Sequence, residues 1–269
     1  MPDMTATVSL DREVEFIHRV AREAGAILQG RFGSIKTWKV KTSPGDIVTE
    51  ADHAVEDLVL ARLADEFPSH NLLTEERGWV RSDPEQPTWI LDPLDGTRNF
   101  ALGIPTFSVS IACVVDGAPV LGVVFDPVHD EMFHARRGRG AFVNETPLAV
   151  GQNTDLCDGL VSVSWSSHRE DSAYFLQTIS RVNQHTTWFR RIGSAALVMS
   201  YIASGRFDAY IQGGINAWDI AAGIVLVEEA GGVVTSFSGG PIDLFASDIN
   251  LLAANPAIHE LLLRDIMPA

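Results

Sequence analysis

With 269 residues, 46% of them hydrophobic and 20% charged, the chain has room for one large globular domain or two modest ones and is too apolar for intrinsic disorder. Its 35 acidic against 20 basic residues give a formal net charge of -15, which excludes nucleic acid and anionic membrane as general partners, because both need a basic face. An acidic chain can still take up phosphate if a cation inverts the local field. The two cysteines, Cys113 and Cys157, fall in no metal-ligand or redox spacing and read as buried thiols. Residues 1–16 carry no apolar core of the signal-peptide kind, and no run approaches the ~20 apolar residues of a membrane span, so a soluble, cytoplasmic protein is expected.

Over 10–32 apolar residues recur at helical spacing (Val14, Ile17, Val20, Ala21, Ala24, Ile27, Leu28), with charges opposite and Gly30 and Gly33 near the end. Turn signals within 39–49 and a short extended run lead to a second helix over 50–66, which puts Asp52 in its first turn, where a carboxylate also suits the helix dipole. A short strand over 70–74 ends at Glu75-Glu76, and 78–87 reads as a polar loop.

The stretch 89–100, W-I-L-D-P-L-D-G-T-R-N-F, is the most informative in the chain. An apolar run delivers Asp92 to an expected strand end, and Pro93 and Gly96 turn the backbone around Asp95. Thr97 stands where it can cap a short helix, so the Gly96 and Thr97 amides are expected at a positive helix N-terminus, where phosphate oxygens bind. Two β-rich runs, 107–116 and 120–125, are joined by Asp116-Gly117-Ala118-Pro119 and followed by a third at 131–135, an antiparallel meander. Arg136-Arg137-Gly138-Arg139-Gly140 reads as a hairpin turn with solvated charges.

A polar stretch over 144–158 marks a lobe boundary. Strands and helices alternate beyond it: strand 160–164, helix 171–182, strand 187–189, helix 194–204, strand 207–211, a long apolar helix capped by Asn216 and stopped by Gly231-Gly232, a strand over 251–254 and a last helix over 256–266. Asp219 lies in the first turn of the long apolar helix, between Trp218 and Ile220, where an unpaired charge is costly. Acids therefore gather at strand ends and helix starts: Glu75, Asp92, Asp95 and Asp219. The candidate ligands are hard oxygens, and the eight histidines show no ligand spacing, so Mg²⁺ or Mn²⁺ is expected rather than zinc. Metals held by shared acids suit phosphoryl transfer to water.

Four blocks in order, K-T-S-P-G-D-I-V-T-E-A-D at 41–52, T-E-E at 74–76, the 89–100 stretch, and W-D-I-A-A-G with E-A-G-G within 218–232, make the chain similar to the inositol monophosphatase family, within the lithium-sensitive, magnesium-dependent phosphatases. The resemblance implies an α+β fold, the layered α-β-α-β-α sandwich of the inositol monophosphatase and fructose-1,6-bisphosphatase type. It would be one phosphatase domain over 1–269, with a metal-binding lobe over about 1–150 and an α/β lobe over about 151–269. It implies that Glu75, Asp92, Asp95, Asp219 and the main-chain carbonyl of Leu94 hold about two or three Mg²⁺ ions. Asp52 and Thr97 would orient the attacking water with Glu75 assisting, the Gly96 and Thr97 amides would hold the phosphate, and Gly193, Ser194, Gln212 and Asp219 would contact substrate. A homodimer acting on a small phosphorylated polyol, inositol 1-phosphate first, is implied as well. Gln212, uncharged, stands where inositol-preferring members usually carry glutamate. Histidinol phosphate, fructose 1,6-bisphosphate and adenosine 3′,5′-bisphosphate therefore stay open, as does a regulatory protein retaining the fold.

Overall fold

The computed structural model of the chain describes residues 10–42, 46–165 and 172–267; residues 1–9 of the N-terminal stretch, the Ser43-Pro44-Gly45 turn signal and the helix start at Asp171 lie outside the described residues. Helix α1 (Asp11–Arg31) buries Phe16, Ile17, Val20, Ala21, Ala24 and Leu28 on one stripe, with Asp11 and Glu13 in its first turn and Arg31 in its last, both favourable to the helix dipole. The two-residue strands β1 (Lys39–Val40) and β2 (Ile47–Val48) pair antiparallel and lead into α2 (Glu50–Glu66). Thr49 starts α2 through a capping box: its backbone N–H and hydroxyl both donate to Asp52, at 2.8 and 2.6 Å.

An eight-stranded sheet follows, made of β3 (Asn71–Thr74), β4 (Gly78–Arg81), β5 (Thr88–Asp95), β6 (Ser108–Val115), β7 (Ala118–Asp126), β8 (Glu131–Arg136), β9 (Ala141–Val143) and β10 (Thr146–Pro147), in the spatial order β10-β9-β8-β7-β6-β5-β3-β4. The β6–β7 hairpin closes on Asp116 and Gly117, both at positive φ (51° and 76°), the two-residue geometry that matches the twist of paired strands. Between β5 and β6 the short helix α3 (Thr97–Ala101) intervenes. The C-terminal part holds a five-stranded sheet of β11 (Val161–Trp165), β12 (Phe189–Arg190), β13 (Ala209–Ile215), β14 (Val233–Thr235) and β15 (Ile249–Ala254), ordered β12-β11-β13-β15-β14. Its helices are α4 (Ser172–Val182), α5 (Ala195–Ala203), α6 (Ala217–Glu229) and α7 (Pro256–Leu261).

Three helix layers alternate with the two sheets, as the expected α+β sandwich requires. Helices α1 and α2 cover one face of the large sheet, α5 and α6 fill the space between the sheets, and α4 and α7 cover the outer face of the small one. Each interface has its own apolar cluster, the middle one built on Ile90, Val124, Met199, Ile220, Val225 and Leu251. Helix α6 has almost no polar face because both sides are covered, which is why its sequence reads as apolar all round. It crosses β7 at Gly122, where a Cβ would stand 2.7 Å from the Ala222 carbonyl oxygen and 2.8 Å from its Cα. Backbone meets backbone there, so Gly122→Ala is expected to destabilise by about 1–3 kcal/mol through forced separation of helix and strand, read as a lower urea midpoint at unchanged slope.

Several expectations are corrected. The 78–87 stretch is not all loop: β4 pairs antiparallel with β3 as the edge strand, and its half-exposed Trp79 and Val80 gave no buried-strand pattern to read. Strands β9, β10 and β14 are two or three residues long, too short to leave a period. The strand carrying Asp92 does not end there but runs to Asp95. The arginine-rich turn after β8 is tied down rather than merely solvated: Arg137 pairs with Glu228 at 2.6 Å, and the Gly138 and Gly140 amides donate to Glu229. Cys113 is buried, but Cys157 is exposed. No helix of the described residues is long and apolar enough to cross a membrane.

Candidate active site

The acid pair of β5 owes its geometry to a bulge. Asp92 faces Ser110 and Asp95 faces Ser108 across the β5–β6 ladder, so three steps on one strand match two on the other. In a regular strand, residues three apart point to opposite faces; one extra residue returns Asp95 to the side of Asp92. Pro93 sits in the irregular stretch, where its missing N–H removes no regular ladder bond. A second bulge of the same count lies in β13, between Gln212 and Ile215, just before α6. It turns the chain into Asn216, whose N–H donates to Asp219 at 3.0 Å from the helix's first turn. The two bulges bring Asp92, Asp95 and Asp219 together, with one carboxylate oxygen from each lying within 4.8 Å of the others.

Asp92 and Asp95 are buried, while Glu75 and Asp219 keep part of their surface open to the cavity. Burial first, then the charges of Glu75, Asp95 and Asp219, holds the Asp92 carboxyl well above the usual carboxylate range. Asp219 is pushed up in the same way, by burial, Glu75 and Asp95. Glu75 is raised to about 7 by burial, against the opposing pull of Lys41. Carboxylates this crowded resist ionising together, and their oxygens suit a hard divalent cation. The Leu94 carbonyl is at the same wall of the cavity, its oxygen 2.9 Å from the Thr97 hydroxyl oxygen.

Asp95 is held from the far part of the chain. Its Oδ2 accepts from the Ser194 hydroxyl, from the Ala196 amide at 2.9 Å and from the Ser108 hydroxyl at 3.4 Å, and its Oδ1 accepts from the Ala195 amide at 3.1 Å. Asp95 thus sits on the N-terminal turn of α5. One lone pair of Oδ1 is left for a cation. The Ser194 hydroxyl is committed to this clamp, so it holds an acid in place instead of offering a free donor to substrate. Gly193, at φ 79°, packs against Asn99, whose amide donates to the Ile192 carbonyl at 2.8 Å.

Gly96, left-handed at φ 94°, precedes α3, and Thr97 is the first helical residue rather than the cap. A Cβ on Gly96 would stand 2.9 Å from the Thr106 carbonyl oxygen and 3.3 Å from that of Gly193. The Thr97 hydroxyl turns back toward Asp52 Oδ1 at 3.1 Å. Asp52 is fully buried behind Thr97 and is not among the residues lining the cavity. Burial raises its carboxyl, opposed by the bonds from Thr49.

One cavity of about 1200 Å³ is lined by Glu75, Asp92, Asp95, Thr97, Gly193, Gln212 and Asp219 together. Gln212 is locked in its wall, accepting from the Tyr210 hydroxyl at 2.7 Å and donating to the Gly213 carbonyl at 2.8 Å. Lys41, which carried no role in the sequence reading, reaches into the acids: its ammonium lies 2.6 Å from Glu75 and 2.8 Å from Glu76. Burial works against that charge, yet the two glutamates more than reverse it and raise its affinity for the proton. Its place at the head of the 41–52 block, as a lone cation in a stretch otherwise acidic or neutral, was the available signal.

Compared with known proteins, residues 9–268 match the model of the inositol monophosphatase family. An inositol-1-monophosphatase of Mesorhizobium japonicum is 39% identical over 250 residues, covering 92% of this chain and 93% of the relative. A Nus factor SuhB of Pasteurella multocida is 39% identical over 255 residues, 93% of this chain and 94% of the relative. The crystal structure of the extragenic suppressor protein suhB of Bartonella henselae superposes with a TM-score of 0.88 at 34% identity, covering 95% of this chain and 98% of that one.

Proposed function

The chain belongs to the inositol monophosphatase family, and we propose that it is a Mg²⁺-dependent phosphomonoesterase releasing inorganic phosphate from inositol 1-phosphate or a similar small phosphorylated polyol by attack of water. The observation that carries this reading is the meeting of Asp92, Asp95 and Asp219 around one point, with Glu75 beside them. These donors and the Leu94 carbonyl suit Mg²⁺, with Mn²⁺ as the second choice. When bound, about two or three such ions would neutralise the acids and polarise the phosphoryl oxygens.

The remaining work falls to this chain's own side chains. With Asp52 ionised, the Thr97 hydroxyl donates its single proton to Asp52 Oδ1, which turns an oxygen lone pair toward the cavity to accept a hydrogen bond from the attacking water. Glu75 assists from the neighbouring wall. The Gly96 and Thr97 amides receive the phosphate oxygens, while Gly193, Gln212 and Asp219 flank the rest of the substrate. The protein works as one phosphatase domain, whose acids come from the end of β3, from β5 and from the first turn of α6, and we place it in the cytoplasm as a homodimer. Retention of four desolvated acids favours catalysis over a purely regulatory role, since a scaffold gains nothing from them.

Phosphate release from inositol 1-phosphate, histidinol phosphate, fructose 1,6-bisphosphate and adenosine 3′,5′-bisphosphate, each with and without Mg²⁺, tests the assignment. Release is expected only with the divalent ion, and Thr97→Ala is expected to lower kcat about 10²- to 10⁴-fold. Equal release after chelation would overturn the reading.

A further inference from the structure

Two arginines line the catalytic cavity. Arg98 follows Thr97 in the first turn of α3, and Arg191 lies two residues before Gly193. The turns that carry them are pressed back to back by the Gly96 approach to the Gly193 carbonyl and by the Asn99 bond to Ile192, so both side chains line the same cavity as the acids. Arg191 is pre-set: its Nη2 donates to the Trp165 carbonyl at 2.9 Å, and its guanidinium carbon lies 4.2 Å from the centre of the Trp165 ring. Neither arginine pairs with a carboxylate among the described residues, although the chain as a whole carries a net charge of -15. Burial lowers the proton affinity of Arg191, opposed by Tyr210 and reinforced by the charge of Arg98, while both side chains line the one cavity. On the same cavity wall Gln212 contributes no charge, and its amide is held by Tyr210 and Gly213.

We propose that Arg98 and Arg191 form a second anion subsite, which takes a phosphate or carboxylate at the far end of the substrate. The enzyme then turns over phosphomonoesters with a second anionic group more efficiently than inositol 1-phosphate. A planar guanidinium fixed on an indole face presents its remaining N–H donors as a fork that fits either anion. An anion between the two arginines also relieves their mutual repulsion, which a neutral polyol end does not. This inference rests on the phosphatase reading above and specifies its substrate class.

The test compares kcat/KM with Mg²⁺ for fructose 1,6-bisphosphate (distal phosphate), 3-phosphoglycerate (distal carboxylate) and inositol 1-phosphate (neutral far end). At least one anionic substrate is expected to exceed inositol 1-phosphate by about tenfold or more, and the double variant Arg98→Ala/Arg191→Ala is expected to reduce that ratio about tenfold. The larger of the two ratios identifies the anion. A wild-type ratio near one, or a ratio unchanged in the double variant, overturns the subsite and leaves the phosphatase intact. Absence of release from every ester instead removes the phosphatase reading. The subsite is then judged by calorimetry of fructose 1,6-bisphosphate with Mg²⁺ on the Asp52→Asn protein: a Kd about tenfold weaker on adding the two arginine substitutions supports it, and an equal Kd overturns it.

Discussion

Asp219→Asn and Asp95→Asn each lose about 10³-fold or more in kcat with Mg²⁺, and they separate in stability. At Asp219 the carboxylate accepts one amide, that of Asn216, and lies beside Glu75, Asp92 and Asp95. An asparagine keeps that bond with its carbonyl and turns an NH₂ donor toward crowded carboxyls, so the metal-free variant melts no lower than wild type and is expected to melt higher. At Asp95 both oxygens already accept, one of them from the Ala195 amide at 3.1 Å. An asparagine there must point an NH₂ at an N–H, which costs about 1–3 kcal/mol. Phosphate-release assays and thermal melts without metal read both effects. Unchanged turnover in the two variants would remove the acid cluster from the mechanism.

The second large effect is a pH dependence that Mg²⁺ reverses. Glu75 has a folded pKa of about 7 against an ordinary 4.5, raised first by burial. An acid raised on folding contributes stability that is complete below its unfolded pKa and is lost as pH climbs through its folded pKa. Metal-free protein should therefore lose stability between about pH 4.5 and 7 on account of Glu75. Asp92, Asp95 and Asp219, all raised, push the same way. His18 opposes them: burial, His134 and Arg22 lower it to about 4, so its contribution is present above pH 6.5 and fades as pH falls toward 4. His18 lies on α1 against His134 of β8, away from the acids, so it cancels in the difference between Mg²⁺-loaded and chelator-treated protein. That difference is expected to grow from pH 5 to pH 8, reaching about 2.7 kcal/mol where Mg²⁺ is 100 times its Kd. A flat difference across this range would show that the acids do not share a cation.

Much of this arrangement was legible because it is local. The bounds of α2, the β6–β7 hairpin and the start of α6 follow from caps, glycines and periodicity within a few residues of each feature. The four acids were recognisable as a set because they stand in three motif blocks, Glu75 and Asp219 each in one and Asp92 and Asp95 together in the third. What stayed hidden depends on contacts between residues far apart in sequence. Nothing near Ser194 announces that its hydroxyl is committed to an acid 99 residues earlier, and nothing near Asp52 shows that Thr97 stands between it and the cavity. The bulges are hidden for another reason. A one-residue mismatch is a property of two strands, and the apolar pattern of β5 alone carries the strand to Asp92 and no further. The edge strand β4 and the short strand β14 leave too few residues for alternation to register.

The clamp on Asp95 has a consequence for protein synthesis. A nascent polypeptide that has left the ribosome as far as residue 190 already displays Asp92 and Asp95, but Ser194 and the amides of Ala195 and Ala196 are still to come, and so is Asp219. Incomplete or prematurely terminated products are accordingly inert, and hydrolytic competence arrives late in translation, when the C-terminal third docks onto what was made before it.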